Sequence, residues 1–383
     1  MKSSWDIFCK VVDNFGDIGV CWRLARQLAA EHDIDVRLWV DNFDTFARLS
    51  RTSDFSQDSV RVGDILVCHW RDPFPEVIPG DVVIEAFACE IPARFQAAMI
   101  AKPIAPVWIN SEYLSAEKWV AESHRLPSPQ VNLTKHFFFP GFVAGTGGLL
   151  REANIIAERD RFQRDPLAIA EFWRSLGMNM PEGDELRVSL FCYDNPALPD
   201  LLAQWAAGVT PITCVVPDGV AGTALENFFP MFTVGEKRAY NLGNLMVYVI
   251  PLLSHERYDR LLWACDMNFV RGEDSFVRGQ FAARPFVWQV YPQKDDAHRT
   301  KLDAFIDLFC ADMDVATATK TRSFWHGWNG DALAGSAWRD FWQIRAAQAS
   351  HARLWSRKLA VQTDLATNLV KFSCDLLKLR VST

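Results

Sequence analysis

No two of the nine cysteines stand as a CxxC pair; they fall singly at positions 9, 21, 68, 89, 192, 214, 265, 310 and 374. An odd number of isolated thiols, set in apolar runs such as Leu190-Phe191-Cys192, is explained better by reduced, buried cysteines than by a disulfide framework. The eight histidines show no paired ligand spacing and no cysteine neighbours that would make a zinc site. No apolar stretch approaches the roughly 20 residues of a membrane span. The opening residues Lys2-Ser3-Ser4-Trp5-Asp6 run straight into a strand-like segment without an apolar leader core, so a cytoplasmic protein is expected. Basic charge is short as well. The formal net charge of −7 argues against general nucleic-acid binding, while leaving room for a basic protein partner or a phosphorylated ligand held by a few local cations. Low-complexity tracts and short repeats are also missing.

What is present is the balance of a folded enzyme: 49% apolar and 23% charged residues in a chain of 383, a length that suggests two domains. From Trp5 to Leu49 strand and helix signals alternate. Trp5 to Val12 reads as a strand, Asp13 to Gly19 as a loop, and Val20, Leu24 and Leu28 with Cys21 and Ala25 as one helix face. Val36–Val40 is the next strand and Phe43–Leu49 the next helix, followed by strand candidates at Ile65–Cys68, Val82–Ile84 and Pro106–Ile109. After the polar stretch Met180–Glu185, a second series runs Leu186–Phe191, Pro211–Val216, Leu245–Ile250, Met267–Val270 and Pro285–Val290. A long amphipathic segment with Leu365, Leu369, Phe372, Leu376 and Leu377 closes the chain. This βαβ rhythm predicts an α/β protein of two doubly wound, Rossmann-like halves, residues 1–180 and 181–383. The ligand cleft is expected between them at the C-terminal ends of the strands, with the last helix packing back on the first half.

Two segments concentrate chemistry. Asp13-Asn14-Phe15-Gly16-Asp17-Ile18-Gly19 lies between the first strand and helix, where such folds place their sites. Gly16 and Gly19 permit close backbone approach. The spacing is not that of a dinucleotide fingerprint, and two carboxylates would repel a pyrophosphate. Asp13 and Asp17 fit a general base with a supporting acid, or equally a strand end and a helix cap. The second segment, Arg271-Gly272-Glu273-Asp274-Ser275, runs from a strand into a helix start. Its backbone N–H groups, with Ser275 and Arg271, suit a diphosphate; Asp274 or Ser275 as a simple cap is the plainer alternative.

The stretches IFCKVVDNFGDIGVCWRLARQL, WINSEYLSAEKWV, FFFPGFVAGTGGLLRE and LLWACDMNFVRGEDSFVRGQ resemble the elongation factor P arginine rhamnosyltransferase family (EarP), as does HARLWSRKLAVQTDLATNLVKF near the end. The motifs are long and occupy both halves of the chain. The resemblance implies a GT-B glycosyltransferase fold and inverting transfer of rhamnose from dTDP-β-L-rhamnose to one arginine of elongation factor P, a modification that helps ribosomes through polyproline stretches. It makes Asp17 the general base, Asp13 its support, and Glu273 the acid that helps hold the reacting arginine. Phe191 and Tyr193 fall in the nucleotide-contacting stretch, and Arg271, Asp274, Ser275 and Gly16 are carried with the donor site. Leu252 and His255 depart from the family pattern, which has Phe and Gln there; a leucine does not stack on thymine as an aromatic ring does.

The chemistry agrees with acids and needs no metal. A guanidinium is protonated in water and is a poor nucleophile, so it must lose a proton as it attacks the anomeric carbon. Flanking carboxylates bind its fork and one accepts that proton. Negative charge on the departing diphosphate is met by backbone N–H groups and an arginine. Asp33-Ile34-Asp35 and Asp312-Met313-Asp314 look like metal-binding DxD motifs but do not follow strands in glycine-rich loops, so solvated acids are expected there. His255 is a nucleotide contact or an ordinary core histidine. Gly145-Thr146-Gly147-Gly148 is a donor approach or a turn, and the fifteen tryptophans are expected to pack. Two other functions remain: a glycosyltransferase with a small-molecule or lipid acceptor, and a nucleotide-sugar-binding protein without activity.

Overall fold

The computed structural model describes residues 2–50, 58–229, 239–293, 296–330 and 334–381. The chain forms two compact units, Met1–Ala153 with Gln362–Thr383, and Asn154–Val361.

Unit 1 carries strands β1 (Ser4–Cys9), β2 (Asp35–Val40), β3 (Ser59–Val62), β4 (Ile65–His69), β5 (Val82–Ala86), β6 (Val107–Ser111), β7 (Pro127–Gln130) and β8 (Leu133–Phe138). They form one sheet in the order β3-β4-β2-β1-β5-β6-β8-β7, parallel except for the edge pairs β3·β4 and β7·β8. Side chains alternate between its faces. Trp5, Ile7 and Cys9, with Val36, Leu38, Val82, Ile84, Val107 and Ile109, join one buried cluster that also holds Leu24 and Leu28 of helix Asn14–His32. Phe8, Trp39, Val83 and Trp108 point the other way, into a second cluster with Phe95 and Met99. A central parallel strand covered on both sides is apolar at most positions, which is why these strands read as hydrophobic runs. The buried polar residues among them, Asp6, Glu85 and Asn110, are hydrogen-bonded.

Unit 2 carries β9 (Leu186–Leu190), β10 (Ile212–Pro217), β11 (Ala239–Leu242), β12 (Leu245–Ile250), β13 (Met267–Arg271) and β14 (Phe286–Gln289). Their order is β11-β12-β10-β9-β13-β14, with only β11 antiparallel. Its tryptophans pack: Trp173, Trp205, Trp325 and Trp328 are among the largest fully buried side chains, and Trp288 stacks on Phe276 at 3.9 Å.

The divide falls at Ala153/Asn154 rather than near residue 180. Helices Ile155–Gln163 and Pro166–Ser175 belong to unit 2 because they are bonded into it. Arg159 donates to the carbonyl of Phe281 at 2.7 Å and to Ser356 Oγ at 2.8 Å, and Gln163 donates to the carbonyls of Trp263 and Ala282. The chain returns at Gln362. Leu365, Ala366 and Leu369 of helix Leu365–Val381 enter the core of unit 1, and Gln27 Nε2 donates to Asp364 at 3.1 Å. The glycine turn at 145–148 serves this return. Gly148 has φ +78°, and a Cβ there would overlap the carbonyl of Thr363.

All nine cysteines are free thiols, eight of them buried. Among the described residues no helix is long and apolar enough to cross a membrane.

Candidate active site

In unit 1 the chain leaves β1 for β2 on one side, while β5 lies on the other. The loops after β1 and β5 therefore part at the carboxyl edge of the sheet, the usual crevice of doubly wound folds. Asp13 and Asp17 sit there, though not on a loop. Helix Asn14–His32 already begins at Asn14, so Gly16, Asp17 and Gly19 lie in its first turns and Asp13 is its N-cap residue. The Asp13 side chain makes no capping bond. The capping falls to Asp17, whose Oδ2 accepts the backbone N–H groups of Val12 at 2.9 Å and Asp13 at 2.8 Å. The Asp13 N–H is one of the orphan donors of the helix start, and the Val12 N–H lies just before it.

Asp17 is only 3% exposed. Burial raises its carboxyl above the ordinary aspartate value, opposed by the two backbone bonds and by a hydrogen bond from Tyr113, and reinforced by the charge of Asp41. A carboxylate made more basic in this way, yet held by fixed donors, is suited to accepting a proton. The Asp13 carboxylate lies directly against Gly16, where any Cβ would overlap it. The glycine thus seats Asp13.

In unit 2 the equivalent parting lies between β9 and β13. Phe191, Cys192 and Tyr193 follow β9, and Arg271 ends β13. The Arg271 guanidinium stacks over Phe191 at 4.3 Å and Tyr193 at 4.5 Å, and its Nη1 donates to the carbonyl of Cys192 at 2.7 Å. Tyr193 is tied in turn to Gln289 by its backbone N–H, at 2.9 Å. The Ser275 hydroxyl closes the turn: it accepts from the backbone N–H of Arg271 at 2.9 Å and donates to the Arg271 carbonyl at 2.6 Å. Helix Asp274–Phe281, buried from Ser275 onward, opens at this point, with Glu273 as its N-cap residue. The N–H groups of its first turn and Arg271 form a place for negative charge.

Around this helix start, Glu273 pairs with Lys301 at 3.2 Å, and His255, buried, lies 4.0 Å from Asp274. Leu252 precedes it in the half-buried turn after β12. Behind them Arg278 and Asp259 form a buried two-bond pair at 2.9 and 2.8 Å.

The structure thus gathers Asp13, Asp17 and Gly16 at the carboxyl edge of one sheet. It gathers Phe191, Tyr193, Arg271, Glu273, Asp274, Ser275 and His255 around that of the other. Neither DxD motif joins them. Asp33 ends helix Asn14–His32 and pairs with Lys2 at 2.6 Å, Asp312 pairs with Lys358 at 2.9 Å, and Asp314 caps helix Val315–Trp328 through Thr317. Among the described residues no group of His, Cys, Asp and Glu is arranged to hold a metal ion. Three neighbours of the site were not singled out in the sequence: Tyr113 beside Asp17, Lys301 beside Glu273, and Gln289 beneath Tyr193. Tyr113 lies within one of the stretches that carry the family resemblance; the other two carry no local signal.

Comparison with known proteins agrees across the whole chain. The model of the family described as elongation factor P (EF-P) rhamnosyltransferase EarP matches residues 5–374. A protein-arginine rhamnosyltransferase of Pseudomonas putida is 47% identical over 377 residues, covering 97% of this chain and 99% of its own. The Pseudomonas aeruginosa protein of the same name is 45% identical over 375 residues, with the same coverage. A solved structure described as the structural basis for EarP-mediated arginine glycosylation of translation elongation factor EF-P is 33% identical. It covers 98% of this chain and 99% of that one, with a TM-score of 0.70.

Proposed function

We propose, from the premise that this chain belongs to the EarP family of elongation factor P rhamnosyltransferases, that it moves rhamnose from dTDP-β-L-rhamnose to an arginine of elongation factor P with inversion. It is a protein-arginine rhamnosyltransferase with the two Rossmann-like units of the GT-B fold. The observation that carries the mechanism is Asp17, a buried carboxylate with raised basicity at the carboxyl edge of its sheet.

In this reading Asp17 takes a proton from the guanidinium as its nitrogen attacks the anomeric carbon. The C–O bond to dTDP breaks with its electron pair left on the diphosphate. Asp13 supports the positive charge at the acceptor, and Glu273 helps hold the guanidinium fork. Arg271 and the N–H groups opening helix Asp274–Phe281 receive the diphosphate, with Phe191 and Tyr193 beside the nucleotide. Ser275 acts by fixing the backbone of Arg271, since its hydroxyl is engaged there on both sides. Asp274, His255 and Leu252 border the nucleotide. This scheme calls on no metal, the charge of the departing diphosphate being assigned to Arg271 and the helix N–H groups. A reaction on a translation factor belongs in the cytoplasm, where free thiols such as these persist.

An acceptor that is a small molecule or lipid is not favoured. Incubation with dTDP-rhamnose and folded elongation factor P, read by intact mass, tests the proposal. A gain of one deoxyhexose on the factor, lost in Asp17→Asn, is expected. Donor turnover without any mass gain would refute the protein acceptor, and a fully active Asp17→Asn would refute the base.

A further inference from the structure

We propose that Tyr113 positions the Asp17 carboxylate for proton transfer, and that the left-handed turn Phe87–Glu90 exists to hold Tyr113 in place. The inference rests on the reading of Asp17 as the base.

Asp17 is anchored on one side only by its own segment, through the N–H groups of Val12 and Asp13. Both bonds go to one oxygen, Oδ2, so they leave the carboxylate free to pivot about it. A third contact from a different element removes that freedom, and the Tyr113 hydroxyl provides it by donating a hydrogen bond to Asp17. Tyr113 stands two residues beyond β6, at the same sheet edge as the end of β1.

The ring of Tyr113 is itself held. It stacks on Phe87 with centroids 4.4 Å apart and planes 18° from parallel. Phe87 follows β5 and has φ +56°, Ala88 has φ +51° and Glu90 φ +56°. Three left-handed residues within four, none of them glycine, are disfavoured by the clash of Cβ with the backbone. Such strain persists only where the surroundings impose it, and it concentrates at functional sites.

Here the surroundings are named. The N–H of Phe87 donates to the carbonyl of Ser111 at 2.7 Å, that of Ala88 to Asn110 Oδ1 at 3.1 Å, and that of Glu90 to Glu85 Oε1 at 3.1 Å. Asn110 and Glu85 are buried side chains of β6 and β5. The Glu85 carboxylate is fixed further by Trp108 Nε1 at 3.1 Å and Lys135 at 3.2 Å. A chain of fixed contacts therefore runs from the sheet through Phe87 and Tyr113 to the carboxylate. A turn needed only to connect β5 to the next helix would be satisfied by glycine. This one carries a phenylalanine whose ring meets the tyrosine that touches Asp17.

The titratable groups acting on Asp17 are Asp41 beyond β2, Cys9 at the end of β1 and Tyr113 beyond β6, while Asp13 meets it through its backbone N–H. Tyr113 is the one among them that stabilises the charged carboxylate by donating a hydrogen bond from its side chain. Its removal moves Asp17 toward a higher pKa.

The test is Tyr113→Phe, which deletes the hydroxyl and keeps the ring, beside Phe87→Gly, which deletes the ring and relieves the left-handed backbone. Rates and KM are read with dTDP-rhamnose and elongation factor P across pH. Tyr113→Phe should melt as the wild type does, and Phe87→Gly, which takes a ring from the edge of the unit 1 core, should melt lower but remain folded. Both should bind dTDP as tightly in calorimetry and keep KM for elongation factor P within about twofold, while kcat falls on the order of tenfold, a loss typical of one hydrogen bond. The acid limb of kcat should move to higher pH in both. Profiles that superimpose on the wild type in two folded variants overturn the inference. Asp17→Asn, run alongside, separates the layers: inactive Asp17→Asn with an unchanged Tyr113→Phe sinks the positioning role alone, whereas active Asp17→Asn sinks the base itself.

Discussion

Arg271 holds its guanidinium 4.3 Å over the ring of Phe191, with Nη1 bonded to the carbonyl of the next residue along, Cys192. A cation clamped between aromatic rings and a carbonyl loses little further freedom when an anion arrives, which is what makes it effective. Lysine keeps the charge but neither the planar fork nor the stacking. Arg271→Lys should therefore weaken dTDP binding by on the order of tenfold, about 1.4 kcal/mol, with little change in melting temperature. Isothermal calorimetry checks this, and an unchanged affinity would remove Arg271 from the donor site.

Gly16→Ala tests the seat of Asp13. Alanine is the better helix former by about 0.5–1 kcal/mol, so the helix itself should not suffer. Its Cβ, however, overlaps the Asp13 carboxylate and forces it aside. The expected result is a folded protein with rhamnosylation slowed at least as much as in Asp13→Ala. Wild-type turnover in Gly16→Ala would show that the position of Asp13 does not matter to the reaction.

Asp259 and Arg278, both nearly excluded from water, fasten the helix that opens at the donor site to helix His255–Ala264. Removing one partner of a buried ion pair typically destabilises by about 3–5 kcal/mol, while replacing both by apolar residues is far milder. Asp259→Ala should lower the denaturation midpoint sharply, and Asp259→Leu with Arg278→Met should recover much of the loss. Chemical unfolding followed by circular dichroism decides between these.

His124 gives a stability signature in acid. Its Nδ1 accepts the backbone N–H of Phe139 at 3.1 Å, and the ring lies edge-on to Phe138. Burial, with the nearby charge of Arg125, lowers its pKa to about 4. The unfolded chain takes up this proton near pH 6.5 and the folded chain only near 4. Stability from this group is therefore complete above 6.5 and declines as the pH falls from 6.5 to 4. Melting curves across that range should show the decline, and His124→Gln should flatten it.

The central strands were legible because parallel strands covered on both faces are mostly apolar; Leu245–Ile250 emerged with the expected bounds. The edge strands β3, β7 and β11 were not, since one-sided or polar strands such as Pro127–Gln130 look like loops until a neighbour pairs with them. Asp13–Gly19 reads as a loop from its two glycines and two acids. It folds as a helix start because the Asp17 side chain satisfies the N–H groups that such a start exposes. The polar stretch after Met180 suggested the boundary between the halves, but hydrogen bonds from Arg159 and Gln163 draw the preceding helices into unit 2.

By itself, the sequence determined the alternation of strands and helices, and with it the edge of each sheet at which chemistry gathers. It also determined the family, through long motifs in both halves. Only the tertiary structure decided how those residues are used. It set Gly16 under Asp13, Lys301 beside Glu273, Ser275 against the backbone of Arg271, and Tyr113 against Asp17. Periodicity reports which face of an element is buried. It says nothing of which residues from distant strands meet at the end of a sheet, because strand order and register set that meeting.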